Sequence, residues 1–244
     1  MSSAQASRNE FLSGLPLPDF SLLRNHLAAK DLRVGEIVHR CGDTIDEVVF
    51  PHSGVAVMRA PLREGPGTGI ALIGRDGIIG GFAANASAPA TCDCEVLAGG
   101  KASKMAASAF RYALDRSPTL RHWASQFDNA LMAQAQQTAL CNATHSVEAR
   151  MCRWLLEMRA RSEDDMIALT QSTLAELLGV RRTTVTLVAG HLEAAGALDC
   201  RRGAMRIVDR QALERSCCEC LVRLKSNTVR SVPIHEQVLV VGGG

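Results

Sequence analysis

Long apolar segments are missing from this sequence of 244 residues. No run approaches the ~20 apolar residues that a membrane-spanning helix needs. The first ten residues are polar and lack the apolar stretch of a secretion signal. We therefore expect a cytoplasmic, bacterial protein with no membrane partner. Thiols stay reduced in that compartment, so the nine cysteines predict free thiols, and their odd number agrees.

An excess of one charge is also missing. The 27 basic and 25 acidic residues give a formal net charge of +2, so composition alone does not indicate a nucleic-acid partner. Hydrophobic residues make up 47% of the chain and charged residues 21%, which excludes a disordered protein. The length allows two modest domains, each with its own core.

Enzyme motifs are the third absence. The sequence has no nucleophile elbow, no phosphate-binding loop and no paired-histidine metal motif. Gly65, Gly67 and Gly69 form a GxGxG pattern, but the helix start that phosphate binding requires does not follow it. We therefore predict neither catalysis nor a cofactor.

The most informative pattern lies in the last third of the chain. Leu174 and Leu178 fall on one face of a first short helix, and Val185 and Val188 fall on one face of a second. Gly179 lies between them, where a sharp turn favours a residue without a side chain. This spacing predicts a helix-turn-helix, whose second helix enters a DNA major groove. A two-helix hairpin inside a core is the alternative.

The residues around this motif favour DNA. The outward positions of the second helix carry hydrogen-bond donors and no acid, and two short strand-like runs follow it, joined by a turn at Arg202-Gly203. A helix-turn-helix followed by a basic hairpin is a winged helix, whose wing contacts phosphates. The residues that we expect to contact double-stranded DNA are Thr170, Gln171, Arg181, Arg182, Thr183, Thr184, Thr186, Arg201 and Arg202.

The first half of the chain is typical of a strand-rich domain. Residues 11–29 predict short helical pieces, and short apolar runs then recur roughly every ten residues, separated by Gly, Pro and Asp. Residues 63–69 predict an exposed hairpin loop. We therefore predict an α+β protein whose N-terminal domain, residues 1–118, is an antiparallel β-roll or jelly-roll barrel.

A helical period follows Pro118. Seam positions are spaced by fours and threes, as in a heptad repeat. The residues that we expect at a homodimer interface are Leu120, Ala124, Phe127 and Leu131. The alternative is a single amphipathic helix packed on its own barrel.

Three further segments complete the predicted organisation. Residues 119–146 form the dimerisation helix and a hinge. Residues 147–226 form the winged helix-turn-helix domain, with a last helix from Arg210 to about Leu224. Residues 227–244 form a disordered tail.

This arrangement resembles the Crp/Fnr family of bacterial transcription regulators. The residues that carry the resemblance are Leu169-Thr170-Gln171, Leu174-Ala175, Leu178-Gly179-Val180, Arg182, Thr184-Val185, Leu192-Glu193, Gly196, Arg202-Gly203 and Ile207, together with Phe50-Pro51-His52-Ser53-Gly54 and Gly74-Arg75-Asp76-Gly77. The resemblance implies a cyclic-nucleotide-binding-like barrel, a homodimer and a two-fold symmetric DNA site. RNA polymerase is a further candidate partner.

Two departures from the family pattern affect function. Gly81 occupies the position of the glutamate that binds ribose in nucleotide-binding members, and no Arg or Lys lies between Gly77 and Lys101 to pair with a phosphate. Of the Arg-Glu…Arg residues with which the family's recognition helix usually contacts bases, this chain keeps only the first, Arg182. We therefore expect a signal other than cyclic AMP or cyclic GMP, and a different DNA sequence.

The remaining pocket walls are small or weakly polar. A neutral ligand could bind there, or the pocket could pack shut, leaving an effector-independent or redox-responsive DNA-binding protein. The candidate pocket residues are Gly81, Phe82, Asn85, Ser87 and Thr91.

The cysteines offer redox candidates but no predicted metal site. No cysteine precedes Cys41, so the N-terminal iron–sulfur cluster of oxygen-sensing family members is not expected here. Cys92 and Cys94 share one face of a strand and are interpreted as core thiols, with a redox pair as the alternative. Oxidation of Cys200 in the wing could alter DNA contact.

Two cysteines near the C-terminus, Cys217 and Cys220, share one face of the last predicted helix and are interpreted as core thiols. The run Cys217-Cys218-Glu219-Cys220 has neither the spacing nor an accompanying histidine that suits zinc. His145, at the hinge, is interpreted as a hydrogen-bonded structural residue, with a proton switch as the alternative.

Overall fold

The computed structural model describes residues 8–65, 67–86, 88–162 and 164–224. The predicted tail, residues 227–244, and the pocket candidate Ser87 lie outside the described residues. Among the described residues, no helix combines the length and the apolar content needed to cross a membrane.

Two short helices open the described chain, as the sequence predicts. Helix α1 (Glu10–Gly14) begins at Asn9, whose side chain accepts a hydrogen bond from the backbone N–H of Leu12. Helix α2 (Leu17–Arg24) follows Pro16. Asn9 is fully buried, and its amide donates to the carbonyls of Pro51 and Gly77, so it fastens the first helix to the strand-rich domain.

Seven antiparallel strands form the predicted barrel-like domain. They are β1 (Ala28–Leu32), β2 (Ile37–His39), β3 (Glu47–Pro51), β4 (Val55–Ala60), β5 (Thr68–Ile73), β6 (Asp93–Ala98) and β7 (Gly100–Ala106). One sheet has the order β1-β7-β3 and the other the order β2-β6-β4-β5. Exposed residues 61–65 follow β4, which confirms the predicted exposed loop over residues 63–65. Gly67 is buried, and the last two residues of the predicted loop, Thr68 and Gly69, begin β5.

Strand β1 overlaps a segment that the sequence assigns to helical pieces. Ala28 pairs with Lys104 of β7 instead, and Ala29 pairs with Ser103. The strand has only one fully buried residue, Leu32, so it lacks the alternation that identifies a strand locally. Pairing with β7, about seventy residues later in the sequence, determines its conformation.

Three helices accompany the barrel strands, one within the run of strands and two after it. Helix α3 (Gly81–Ala86) lies between β5 and β6, and α4 (Ala107–Arg116) follows β7. Helix α5 (Pro118–Thr144) is 27 residues long, with Pro118 in its first turn and Ser117 accepting a hydrogen bond from Leu120. The long helix is therefore confirmed.

The predicted dimer seam on α5 faces the barrel of its own protomer and not solvent. Leu120 is 0% exposed within one protomer and packs with Ala124 in a core that includes Phe50 and Phe110. Leu131 packs into a second barrel core, and Phe127 contacts both. These side chains are already covered by their own protomer, so the seam is the inward stripe of α5 and has little surface left for a partner.

The C-terminal domain is a winged helix-turn-helix. It consists of α6 (Val147–Ser162), β8 (Met166–Ile167), α7 (Gln171–Leu178), α8 (Arg182–Ala194), β9 (Leu198–Arg201), β10 (Ala204–Ile207) and α9 (Arg210–Ser216). The strands form one antiparallel sheet in the order β8-β10-β9. This confirms the predicted motif and its wing.

The predicted last helix is interrupted. Helix α9 ends at Ser216 because Cys217 is extended, with φ −81° and ψ 152°, and a separate helical segment occupies residues 220–224. The break allows Cys218 and Cys220 to pack against Cys141 of α5, which a continuous helix from Arg210 would not do.

The two domains share one core. Val57 and Leu72 of the barrel pack in the same apolar cluster as Trp154 and Leu177 of the C-terminal domain. At Gly69, a Cβ atom would lie only 2.6 Å from the Trp154 ring, so this glycine lets the indole approach the strand. Helix α7 of the helix-turn-helix is consequently packed on β5, leaving α8 on the outside.

Candidate nucleic-acid interface

The turn of the helix-turn-helix is built by local hydrogen bonds. Thr170 caps α7, with its hydroxyl accepting from the N–H of Thr173 at 3.0 Å. Gly179 ends the helix in the left-handed region, with φ +63°, and its N–H returns to the carbonyls of Ala175 and Glu176. The cap and the turn glycine therefore occupy the positions that the sequence predicts.

Helix α8 has one buried and one exposed face. Val185, Val188 and Leu192 point into the shared core. Most of the predicted DNA contacts lie on the other face: Arg181, Arg182, Thr183 and Thr186 are exposed, while Thr184 is half-buried. The helix is thus anchored by its apolar stripe and presents its polar stripe to solvent.

The N-terminal end of α8 is suited to an anion. Arg181 stands at the cap position without a side-chain hydrogen bond to the helix, and Arg182 follows in the first turn. The positive end of the helix dipole and two exposed guanidinium groups coincide there. A phosphate or a guanine edge is the chemistry that this end can bind.

Gln171 and Thr186 are brought together across the motif. The Thr186 hydroxyl donates to Gln171 Oε1 at 2.7 Å and also contacts the carbonyl of Arg182. The pair links the first turn of α7 to the second turn of α8. Thr186 therefore orients Gln171, whose amide N–H groups can still donate to a partner.

The wing places its two arginines in different electrostatic surroundings. Arg201 is paired with Asp199 on the same strand, at 2.9 and 3.0 Å. Arg202 lies exposed in the turn, and Gly203 closes that turn with φ +81°. Since Asp199 offsets the charge of Arg201, Arg202 offers the stronger attraction to phosphate.

Two exposed residues near these contacts are absent from the predicted set. Leu187 on α8 is 61% exposed, and its outward helical position is the sequence signal that indicates it. An apolar side chain there can contact a thymine methyl group. Arg206 is exposed on β10 between the buried Met205 and Ile207, and strand alternation is the signal in its case.

The wing cysteine is a poor redox candidate. Burial and, after it, the nearby Glu193 carboxylate together raise the pKa of the Cys200 thiol to about 11. The reactive species in thiol oxidation is the thiolate, which is scarce at neutral pH under these conditions. Cys92 and Cys94 are buried, which confirms their interpretation as core thiols, and burial raises the pKa of Cys92 to about 11.

The candidate ligand pocket is small. A cavity of about 40 Å³ lies between α3, the barrel strands and Leu131 of α5. Gly81, Phe82 and Thr91 line it, as predicted, whereas Asn85 is exposed and outside its lining. Ligand pockets for drug-sized molecules are roughly 300–1,000 Å³, so this space is too small for a nucleotide without rearrangement.

Comparison with known proteins agrees with this geometry. Residues 149–216 match the family model of the Crp-like helix-turn-helix domain. The chain carries a Crp-like helix-turn-helix domain. No curated protein matches the chain in sequence.

Solved structures show the same fold around the Crp-like domain. A Crp/Fnr-family regulator from Eubacterium rectale has a TM-score of 0.67 at 16% identity, covering 84% of this chain and 95% of its own. FixK2 from Bradyrhizobium japonicum has a TM-score of 0.66 at 17% identity, covering 79% of this chain and 98% of its own. CLP from Xanthomonas campestris, described as a c-di-GMP-responsive regulator, has a TM-score of 0.64 at 16% identity, covering 80% of this chain and 100% of its own.

The likeness establishes the fold. The family model in turn assigns residues 149–216 to the Crp-like helix-turn-helix domain.

Proposed function

We propose that the chain is a transcription regulator that binds a two-fold symmetric DNA site as a homodimer. The observation that carries this proposal is the outward face of α8, where Arg181 and Arg182 mark the exposed positive end of a Crp-like recognition helix. Arg182, exposed in the first turn of α8, would donate two hydrogen bonds to a guanine edge. Arg202 and, more weakly, Arg201 would hold the phosphate backbone.

The experiment that tests this function is selection from a random double-stranded DNA library by the purified wild-type protein. We expect an inverted repeat whose half-site centres are about 34 Å apart, one turn of DNA. A symmetric repeat would also support the homodimer. Enrichment of no sequence, despite salt-dependent retention of DNA, would contradict specific regulation.

A dimer requires an exposed surface on α5, and the helix has one. Opposite the buried seam, solvent-facing positions recur at spacings of three and four; we call this the outer stripe, and its residues are Ser125, Asn129, Met132, Gln136, Ala139 and Ala143, with Leu140 beside it. Met132 is 58% and Leu140 52% exposed, and a second α5 would cover both of these large apolar side chains. The small and polar residues between them leave room for a close approach of two helices.

The closed pocket supports a signal other than a cyclic nucleotide. Gly81 supplies no ribose-binding carboxylate, and the cavity of about 40 Å³ has no Arg or Lys in its lining. We expect millimolar cyclic AMP or cyclic GMP to leave both the melting temperature and DNA affinity unchanged. A ligand at 100 times its dissociation constant would add ~2.7 kcal/mol of stability. A clear rise in melting temperature with either nucleotide would refute this part of the proposal.

An effector-independent DNA-binding protein is the second candidate, favoured by the same small cavity. The two candidates differ in whether any small molecule alters DNA affinity. RNA polymerase, through which a DNA-bound regulator would act, and a cytoplasmic location belong to the same proposal.

A further inference from the structure

Four potential metal ligands meet where α5 ends and the C-terminal segment packs against it. Cys141 lies in the last turn of α5, His145 caps that helix, and Cys218 and Cys220 follow the break after α9. Their sulfur and ring-nitrogen atoms all lie within 4.8 Å of one another. The three cysteines are buried and His145 is partly buried. Residues more than seventy positions apart in the sequence thus converge on one point.

The distances fit a single tetrahedral ion. Zn–S bonds of about 2.3 Å and Zn–N bonds of about 2.0–2.1 Å place two sulfur ligands about 3.8 Å apart, and a sulfur and a nitrogen about 3.6 Å apart. The Sγ atoms of Cys141 and Cys218 are 3.6 Å apart, and Cys220 Sγ is 3.6 Å from Nδ1 of His145. Only small side-chain adjustments separate this arrangement from a filled site.

Outer contacts hold the ligands in place. Glu219 Oε2 lies 3.2 Å from Nε2 of His145, so the nitrogen opposite the thiols can donate to a carboxylate, the usual partner of a metal-bound histidine. Gln137 donates from its amide to Cys220 Sγ at 3.0 Å, as an N–H group does to a metal-bound thiolate. Core thiols packed for hydrophobic reasons alone do not need either contact.

The charge around the site is also suitable. Three thiolates, a neutral imidazole and a divalent zinc ion carry a net charge of −1. The buried Arg153 guanidinium interacts with Cys141, although it is also paired with Glu157 at 2.6 Å. Its positive charge therefore offsets part of the charge of the complex.

We propose that Cys141, His145, Cys218 and Cys220 bind one zinc ion that joins the end of α5 to the C-terminal segment of the DNA-binding domain. The spacing within the Cys217–Cys220 run gives no sign of zinc, because the other two ligands, Cys141 and His145, come from the end of α5. The site has four protein ligands and no open position, so its role is structural. Zinc occupancy would set how firmly the DNA-binding domain is held to the long helix.

The test is metal binding by the full-length chain, freed of metal by a chelator under reducing conditions. We expect one Zn²⁺ per chain, a higher melting temperature with Zn²⁺, and, with Co²⁺ as a spectroscopic probe, the intense visible absorption of a tetrahedral thiolate site. Cys220→Ser and His145→Gln should each weaken Zn²⁺ binding at least 100-fold. Glu219→Gln should weaken it by about 10–100-fold.

Cys41→Ser is the matched control, because Cys41 is an exposed thiol far from the site in the barrel domain. It should bind Zn²⁺ as wild type does. Circular dichroism of each variant without metal shows whether it is folded, and His145→Gln keeps all thiols if a cysteine variant does not fold. Failure of the reduced wild type to bind Zn²⁺ stoichiometrically would overturn the proposal. Equal weakening by Cys41→Ser, or a Cys141–Cys218 disulfide in the freshly purified protein in place of metal, would also overturn it.

Discussion

At the residue scale, chemistry in this chain depends on what surrounds each side chain. The two wing arginines differ in how strongly they attract phosphate, because Asp199 pairs with Arg201 and offsets its charge. Cys200 is made unreactive by burial and Glu193, although its place in the wing favours a redox role. Sequence position identified these residues as candidates, but their reactivity and charge depend on neighbours that the local sequence does not specify.

Asp128 on α5 gives a prediction at this scale. Burial raises the pKa of its carboxyl to about 6 from an ordinary value of 3.8. The folded state therefore holds a proton that the unfolded state has lost between these values, and stability falls as pH rises through this window. Asp128→Asn removes the charge and its desolvation penalty.

We expect Asp128→Asn to raise the free energy of unfolding by roughly 1 kcal/mol at pH 7, less than a two-unit shift gives at full burial, because the side chain is partly solvated. The gain should vanish near pH 4, where both proteins are neutral at this position. Urea unfolding at pH 4 and pH 7 measures it. Asp115→Asn, at an exposed site, is the control, and a gain that persists at pH 4 would contradict the assignment.

At the element scale, prediction succeeds where the signal is local. The helix-turn-helix follows from the spacing of Leu174, Leu178 and Val185 and from one glycine, because caps, turns and apolar faces are all determined within a few residues. The sequence does not predict strand β1, because within the described part of the chain this strand pairs with β7 alone, which is distant in sequence. The cysteine and histidine cluster was missed for the same reason.

Helix α5 shows a second limit of predicting structure from the sequence. Its heptad spacing correctly predicts a long helix with a buried stripe, but the spacing does not say what covers the stripe. The barrel covers Leu120, Ala124 and Leu131 in the same protomer. The surface left for a partner is the outer stripe, whose polar and small residues give a weaker periodic signal.

The outer stripe supports a prediction about assembly. Met132→Glu combined with Leu140→Glu places four carboxylates at the interface of a dimer, and we expect monomers that lose specific DNA binding and keep both domains folded. Sedimentation velocity gives the mass, and circular dichroism checks the fold. Leu62→Glu, at an exposed apolar residue in the barrel loop, should stay dimeric. A dimeric double variant would exclude the outer stripe as the interface.

At the scale of the whole molecule, ion pairs with buried arginines connect the domains. Arg161 of α6 contacts Asp76 of the barrel at 3.1 Å, and Arg59 of β4 lies 3.7 Å from Glu176 of α7. Arg161 also approaches Gln134 of α5, so the barrel, the long helix and the DNA-binding domain meet at one guanidinium. A movement of the DNA-binding domain would have to separate these charges.

Asp76→Asn tests this connection. Asp76→Asn leaves Arg161 with Glu157 as its remaining carboxylate partner, at 3.6 Å, and Glu157 also pairs with Arg153. We therefore expect a loss of roughly 2 kcal/mol in the free energy of unfolding, less than the ~3–5 kcal/mol of a charge left wholly uncompensated. Asp31→Asn, which breaks the exposed pair with Lys101, should have little effect. Denaturant unfolding compares the two variants. Equal effects would show that the pair between the domains contributes no more than a surface contact.

In the proposed function, Arg182 is the residue through which α8 recognises the base sequence of DNA. The decisive measurement is selection from a random DNA library by Arg182→Ala, compared with Arg202→Ala in the wing and with Arg24→Ala, an exposed arginine of α2. We expect Arg182→Ala to lose preference for one base in each half-site, at ~1–3 kcal/mol. Arg202→Ala should keep the same preferred sequence, with weaker affinity for all sequences and a smaller salt dependence. Arg24→Ala should match wild type. An unchanged base preference for Arg182→Ala, with uniformly lower affinity, would contradict the account.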